Sequence, residues 1–276
     1  MPEENNNFED DRKAVVTALG QMVEAQQMSE LYDSIFVDEV QDFWKSELDL
    51  IRRLSHRVNF AGDSRQRIWK HREGLKTATA MAQQTVQLTR HYRIGEEICR
   101  YADQILPPKT DEVSLLEGCN YPEALRPSSA KRVPCTTEDE MIQRCIEKIK
   151  EELRYVTEEP IGVIGPFNEC LDKFFAAAEA DEVLAPITIR QKSNEYQAYD
   201  ENSRVRVMTV YSAKGSEFRA VHLLQGEAFK MHNRELAFTA VTRAKTEVWV
   251  YHVAPLLGHM IPPSTGQLTT DLSELF

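Results

Sequence analysis

The chain has 276 residues, 42% of them hydrophobic and 28% charged, with a formal net charge of −11, the profile of a soluble globular protein with room for two domains of ordinary size. No run is apolar enough to span a bilayer, Met1–Asp10 is acidic and Asn-rich rather than a signal or transit peptide, and five cysteines without a C-x-x-C pair indicate neither a disulfide framework nor a zinc site. The expected setting is a reducing cytoplasm without a membrane partner, and the acidic balance excludes a protein that coats nucleic acid by bulk charge.

In chain order, Val15, Val16, Leu19, Met22, Val23 and Met28 recur at helical spacing over Asp11–Leu31. Ile35–Val37 is a short apolar run, the pattern of a parallel strand covered on both faces, and it ends in the acidic pair Asp38 and Glu39, with Asp42 just beyond. A helix is expected over Phe43–Leu54 and a short strand over Arg57–Ala61, running into the turn Gly62–Trp69. Gln87–Arg93 reads as a strand leading into a helix over Gly95–Leu106, stopped by Pro107–Pro108. Residues 109–134, rich in Pro, Ser and charge, read as irregular. Helices are then expected over Glu138–Leu153, Glu169–Ala178 and Glu235–Arg243, with strands at Ile161–Ile164, Ile187–Arg190 (an edge), Val205–Val210, Ala220–Leu224 and Glu247–His252. Alternating strands and helices predict an α/β fold with a mostly parallel sheet.

Asp38 and Glu39 leave the carboxyl end of their strand, the edge where open α/β sheets bind ligands. There an Asp can hold hydrated Mg²⁺ and a Glu can orient or deprotonate a water, although the same letters also fit an acidic loop after a core strand. Between Lys45 and Arg100 twelve Lys and Arg face six Asp and Glu, which describes either a basic patch or a salt-bridged helix surface. Trp69, beside Arg67, Lys70 and Arg72, suits stacking on a base as well as core packing.

Five blocks together are more specific than any one: Val-Asp-Glu-Val-Gln-Asp (37–42), Gly-Asp-Ser-Arg-Gln-Arg-Ile-Trp (62–69), Leu-Thr-Arg-His-Tyr-Arg (88–93), Met-Thr-Val-Tyr-Ser-Ala-Lys-Gly-Ser-Glu-Phe (208–218) and Phe-Thr-Ala-Val-Thr-Arg-Ala-Lys (238–245). Their order and spacing resemble motifs II through VI of the superfamily 1 helicases of the UvrD/Rep type, from about Tyr32 to about Val250. The resemblance implies RecA-like, P-loop NTPase-type sheets, ATP and Mg²⁺ as cofactors, and single-stranded DNA as partner. It implies Asp38 as the metal ligand, Glu39 as the activator of the hydrolytic water, Gln66 as the γ-phosphate or water sensor, and Arg93 and Arg243 as arginine fingers. A buried ion pair is the plainer role for such arginines. Tyr92 would stack on adenine and Glu217 would face the ribose; Trp69, His71, Arg72, Thr209, Tyr211 and Lys214 are the candidate DNA contacts.

Four positions depart from the family pattern: His91 where Asn is usual, Tyr211 where His is usual, His71 in place of a second aromatic, and Ser216 in place of Leu. No G-x-x-x-x-G-K-[S/T] loop precedes Asp38, so the triphosphate cradle and the Ser/Thr ligand of Mg²⁺ are missing. The expected organisation is a truncated first RecA-like domain at 1–107, a linker at 108–134, a second RecA-like domain at 135–260 and a tail at 261–276. A P-loop-bearing segment or partner would complete the enzyme, or the open sheet edge would self-associate. The competing reading is a catalytically inactive helicase-like module for protein or DNA binding.

Overall fold

A computed structural model describes residues 6–25, 29–110, 112–192 and 203–263. The chain divides into two compact units, Met1–Leu88 and Thr89–Phe276.

The first unit contains α1 (Asn6–Ala25), β1 (Ile35–Val37), α2 (Lys45–Leu54), β2 (Val58–Phe60) and α3 (Gly74–Met81). β1 and β2 pair in parallel, Ile35 opposite Val58 and Val37 opposite Phe60. The core is small: Val37, Val40, Leu48 and Ala78 are buried, with Phe43, Ile51, Val58 and Leu75 packed against them. Glu47 ties α1 to α2, accepting Arg12 Nε at 2.6 Å and Arg12 Nη2 at 2.9 Å. It also accepts the Trp44 backbone N–H at 2.8 Å, satisfying one of the open donors at the start of α2.

Two expectations fail in this unit. β1 is not covered on both faces, since Phe36 is 80% exposed. On α1 the apolar stripe buries only Val23 among its described positions, while Val15, Leu19 and Met22 remain exposed; Met28 lies outside the described residues. Hydrophobic periodicity records which face a helix offers, not whether a neighbour is there to cover it.

The second unit is a six-stranded, wholly parallel sheet in the order β3-β8-β7-β4-β6-β5. Its strands are β3 (Ser129–Pro134), β4 (Ile161–Gly165), β5 (Thr188–Gln191), β6 (Val205–Thr209), β7 (Phe218–Leu223) and β8 (Ala244–His252). Its helices are α4 (Glu96–Ile105), α5 (Glu138–Glu152), α6 (Asn168–Glu179), the short α7 (Val210–Ala213) and α8 (Arg234–Val241). β4 is buried at every position, as its apolar run Ile161–Gly165 requires of a central parallel strand. Thr137 caps α5, its side chain accepting the Glu140 N–H at 3.1 Å. The α/β architecture is therefore the one the alternation predicted, and β5 is the expected edge.

Gln87–Arg93 is not a strand: His91 forms a single parallel bridge to Cys119, and the residues before it have no regular structure. Ser129–Pro134, expected to be irregular, is the other edge strand. An edge strand pairs on one side only, so Pro134 and the adjacent charges Lys131 and Arg132 are tolerated there. α4, expected with the first domain, belongs to the second unit, where Ile98, Cys99, Tyr101, Ala102 and Ile105 are fully buried. Residues 264–276 of the expected tail lie outside the described residues. Among the described residues, no helix is long and apolar enough to cross a membrane.

Candidate functional site

In the first unit the acidic pair follows β1 directly. Asp38 is exposed; its Oδ1 accepts the Glu39 backbone N–H at 2.8 Å, and its Oδ2 has no partner among the described residues. Glu39 adopts left-handed backbone, φ 51° and ψ 40°, a conformation that costs a non-glycine residue about 1–3 kcal/mol and persists only where its surroundings hold it. The surroundings are visible. Val40 N–H donates to Ala61 O at 2.9 Å and Ala61 N–H to Val37 O at 2.8 Å, locking the two strand ends together. Gln41, fully buried, donates through Nε2 to Glu39 Oε2 at 2.5 Å, and its Oε1 accepts the Asp63 N–H at 3.0 Å. Asp63 in turn accepts the Arg65 N–H at 2.8 Å and Gln66 Nε2 at 3.0 Å.

One hydrogen-bonded chain thus joins Glu39, Gln41, Asp63 and Gln66 across the carboxyl ends of two parallel strands. Hard carboxylate oxygens at such an edge are the donor type that Mg²⁺ prefers. Gln41 and Asp63 hold the arrangement. The signal for Gln41 was its place between the acids of the first block.

Gly62 fits because nothing else would: a Cβ there would lie 2.7 Å from Gln41 Oε1 and 2.8 Å from Val40 Cγ1. Gly62→Ala is expected to cost the first unit about 1–3 kcal/mol through overpacking, read as a lowered urea midpoint. An unchanged midpoint would show that the Gln41 brace is loose.

Trp69 is half-buried, and Arg72 lies over one face of its ring at 4.4 Å from the centroid. Arg72 is only 2% exposed, lies 5.2 Å from the Trp44 ring and donates to Asp42 O at 2.9 Å. The basic neighbour predicted as a DNA contact is therefore a buried packing element, its guanidinium stacked on indoles. His71 is exposed.

In the second unit the candidates fall at opposite edges of the sheet. Thr209 ends β6 at the carboxyl edge, where its hydroxyl caps α7 by accepting the Ser212 N–H at 3.3 Å. Tyr211 and Lys214 follow on α7 and its cap, both half-buried. Gly215, at φ +80°, turns the chain back. Glu217 and Arg243 precede β7 and β8 at the amino edge. Arg93 Nη1 pairs with Glu217 Oε1, whose other oxygen lies 3.7 Å from Lys245 Nζ. Lys245 also contacts Glu159 at 2.5 Å.

The Arg93 turn is tied to this edge by the Gly95 N–H, which donates to Lys245 O at 2.9 Å. Arg243 is buried, donating to Thr239 O at 3.1 Å and Ser216 O at 3.3 Å. Tyr92, on the same turn as Arg93, is 66% exposed. Arg93, Glu217 and Arg243 are thus gathered at one edge, Thr209, Tyr211 and Lys214 toward the other. Lys245 and Glu159 were missed; Lys245 lies two residues beyond Arg243 in the last block, a spacing that keeps side chains on one face.

Residues 204–251 match the family model of the UvrD-like helicase C-terminal domain. The matched stretch runs from β6 to the end of β8 and contains both amino-edge residues, Glu217 and Arg243. It supports the reading of the chain as a helicase C-terminal portion. No curated protein matches the chain.

Among solved structures, the chain is similar to the C-terminal domain of a candidate DNA helicase from Lactobacillus plantarum WCFS1, with 16% identity, TM-score 0.46, and coverage of 62% of this chain and 92% of that one. The PRRSV helicase matches with 16% identity and TM-score 0.40 over 79% of this chain and 34% of its own. The arterivirus nonstructural protein 10 helicase matches with 19% identity and TM-score 0.43 over 83% of this chain and 41% of its own. The chain therefore spans well under half of either viral helicase.

Proposed function

We propose that this chain is the part of a UvrD/Rep-like superfamily 1 helicase or translocase that carries motifs II through VI, and that it couples ATP hydrolysis to movement on single-stranded DNA when a P-loop-bearing segment or partner completes it. One joint observation carries the reading. Five blocks stand in the family's order, and the last two, 208–218 and 238–245, fall inside the independently matched residues 204–251.

Bound Mg²⁺ would neutralise the charge that builds up in phosphoryl transfer. Asp38 would hold it through carboxylate oxygen. Glu39, kept in its strained turn by Gln41, would orient the attacking water and take its proton. Gln66, anchored on Asp63, offers one amide that both donates and accepts. Arg93, about half exposed and paired with Glu217, would exchange a carboxylate for phosphate oxygens; Arg243, held by two backbone carbonyls, would supply a second planar cation. Tyr92 is exposed enough to stack on adenine. Exposed Phe36, the middle residue of β1, offers an apolar contact for a completing segment on the two-stranded β1–β2 sheet.

The reading is tested by fluorescence anisotropy with labelled oligothymidylate at rising salt. Binding is expected at low salt and should weaken as salt rises, as phosphate contacts require. Trp69→Ala should weaken it by about 1–3 kcal/mol, the worth of one base stacked on an aromatic ring. No binding at low salt, or equal binding by the Trp69→Ala chain, would contradict the DNA role and favour a protein-interaction module.

A further inference from the structure

The second unit brings together one imidazole and two thiols that the proposed function does not use. The ligand atoms of His91, Cys99 and Cys119 all lie within 4.8 Å of one another. Three separate pieces of chain deliver them. His91 and Cys119 face each other in the isolated parallel bridge, with the His91 N–H donating to Gly118 O at 2.9 Å and the Asn120 N–H to His91 O at 2.8 Å. Cys99 comes from the first turns of α4 and is fully buried. His91 and Cys119 are half-buried, which leaves a way in from solvent.

Both thiols converge on one carbonyl, Cys99 Sγ lying 3.5 Å and Cys119 Sγ 3.3 Å from Ile94 O. His91 Nε2 is 3.7 Å from Cys99 Sγ and 2.8 Å from Leu115 O, and His91 Nδ1 is buried without a hydrogen-bond partner. The nearby carboxylates are occupied. Asp103 accepts the Leu115 and Leu116 N–H groups at 3.2 and 3.0 Å, and Glu123 accepts from Ser128 and Glu96.

Zinc binds thiolate sulfur at about 2.3 Å and imidazole nitrogen at about 2.0–2.1 Å in a tetrahedron, so donors around one ion sit roughly 3.5–3.8 Å apart. The 3.7 Å between Nε2 and Sγ is of that size. Two sulfurs and an imidazole select zinc-like ions over Mg²⁺ or Ca²⁺.

We propose that His91 Nε2, Cys99 Sγ and Cys119 Sγ bind one Zn²⁺, with a water in the fourth position. The ion would staple the turn carrying Tyr92 and Arg93 to α4 and to the 118–120 segment. On binding, the hydrated ion sheds all but one of its waters to solvent, two thiol protons leave to solvent, two Zn–S bonds and one Zn–N bond form, and the imidazole proton moves from Nε2 to Nδ1, releasing Leu115 O. No oxidant or reductant takes part. The site stands or falls independently of the helicase reading, since it needs neither nucleotide nor DNA.

The test is a cobalt titration of the full chain, stripped of metal and kept reduced. Expected are one equivalent of bound Co²⁺, a near-ultraviolet thiolate-to-cobalt charge-transfer band and strong visible bands of a tetrahedral ion, all abolished by stoichiometric Zn²⁺. Zn²⁺ should also raise the melting temperature and slow amide exchange at Tyr92 and Arg93. Removing a supporting residue around a metal ligand already costs 10–100-fold in affinity, so Cys119→Ser and His91→Ala should each cost at least about 100-fold. Cys135→Ser, at a buried cysteine outside the cluster, should leave the spectrum unchanged. The wild-type stoichiometry tests the site even if a variant fails to fold. Absence of the charge-transfer band from the folded, reduced chain would overturn the proposal, as would an undiminished band in Cys119→Ser.

Discussion

Truncating His222 to alanine is expected to lower the unfolding free energy of the second unit by about 2–5 kcal/mol, the cost of a cavity plus that of leaving buried polar groups without their hydrogen-bond partner. His222, on β7, is fully buried and has both ring nitrogens engaged. Nε2 lies 2.9 Å from Glu152 Oε2 and Nδ1 lies 3.0 Å from Tyr251 Oη. Glu152, the last residue of α5, is likewise without exposure. Alanine would leave the fully buried Glu152 side chain without this partner.

Replacing both members of the pair with leucine should cost much less than His222→Ala alone, because a buried pair exchanged for apolar groups of similar size is often neutral. Tyr251 keeps a polar neighbour in the Cys145 thiol, whose pKa is raised by burial and then by Glu152. Urea unfolding followed by circular dichroism separates the two variants. Equal losses would mean that the site is sensitive to volume rather than to the unpaired polar group.

Removing Arg93 is expected to reduce ATP turnover by about 10³–10⁵-fold in a chain completed by a P-loop-bearing segment, the range an arginine finger commands in phosphoryl transfer. Three features of its setting support that expectation. Arg93 is about half exposed, it stands on a turn pinned by the Gly95–Lys245 hydrogen bond, and its partner Glu217 is shared with Lys245. Glu217 can therefore release one cation without being left unpaired. Arg93→Lys should recover little, because an ammonium cannot reproduce the planar two-point contact of a guanidinium. Full turnover in Arg93→Lys would reassign the residue to simple charge balance.

How much of this was legible in the sequence follows from which forces act locally. The second unit's strands at Ile161, Val205, Ala220 and Glu247 were readable because central parallel strands are rich in buried Val, Ile, Leu and aromatic residues, β4 along its whole length. Ser129–Pro134 was not, since an edge strand carries charge and proline like a loop. Gln87–Arg93 misled in the other direction: its Thr and Tyr favour strand, but pairing is a tertiary event and only His91 finds a partner.

At the site, Asp38 and Glu39 stood out as an acidic pair after a strand, while the brace through Gln41 to Asp63 depends on a contact 22 residues apart. Arg72 looked like a surface cation, and no spacing rule foretells that two tryptophans will enclose it. The His91–Cys99–Cys119 cluster escaped a search for C-x-x-C for the same reason, because a single bridge between distant residues assembles it.

The central claim is that Asp38 and Glu39 belong to half of a helicase-type ATP site. It is met most directly by single-stranded-DNA-stimulated ATP hydrolysis. The assay compares this chain alone with the chain supplied with a P-loop-bearing segment of a UvrD-type helicase, each as wild type and as Glu39→Gln. The account predicts no turnover by the chain alone, turnover in the combination, and loss of that turnover by about 10²-fold or more in Glu39→Gln, the contribution of a positioned general base. Turnover by the chain alone that disappears in Glu39→Gln would contradict it, and so would a combination whose turnover is indifferent to Glu39.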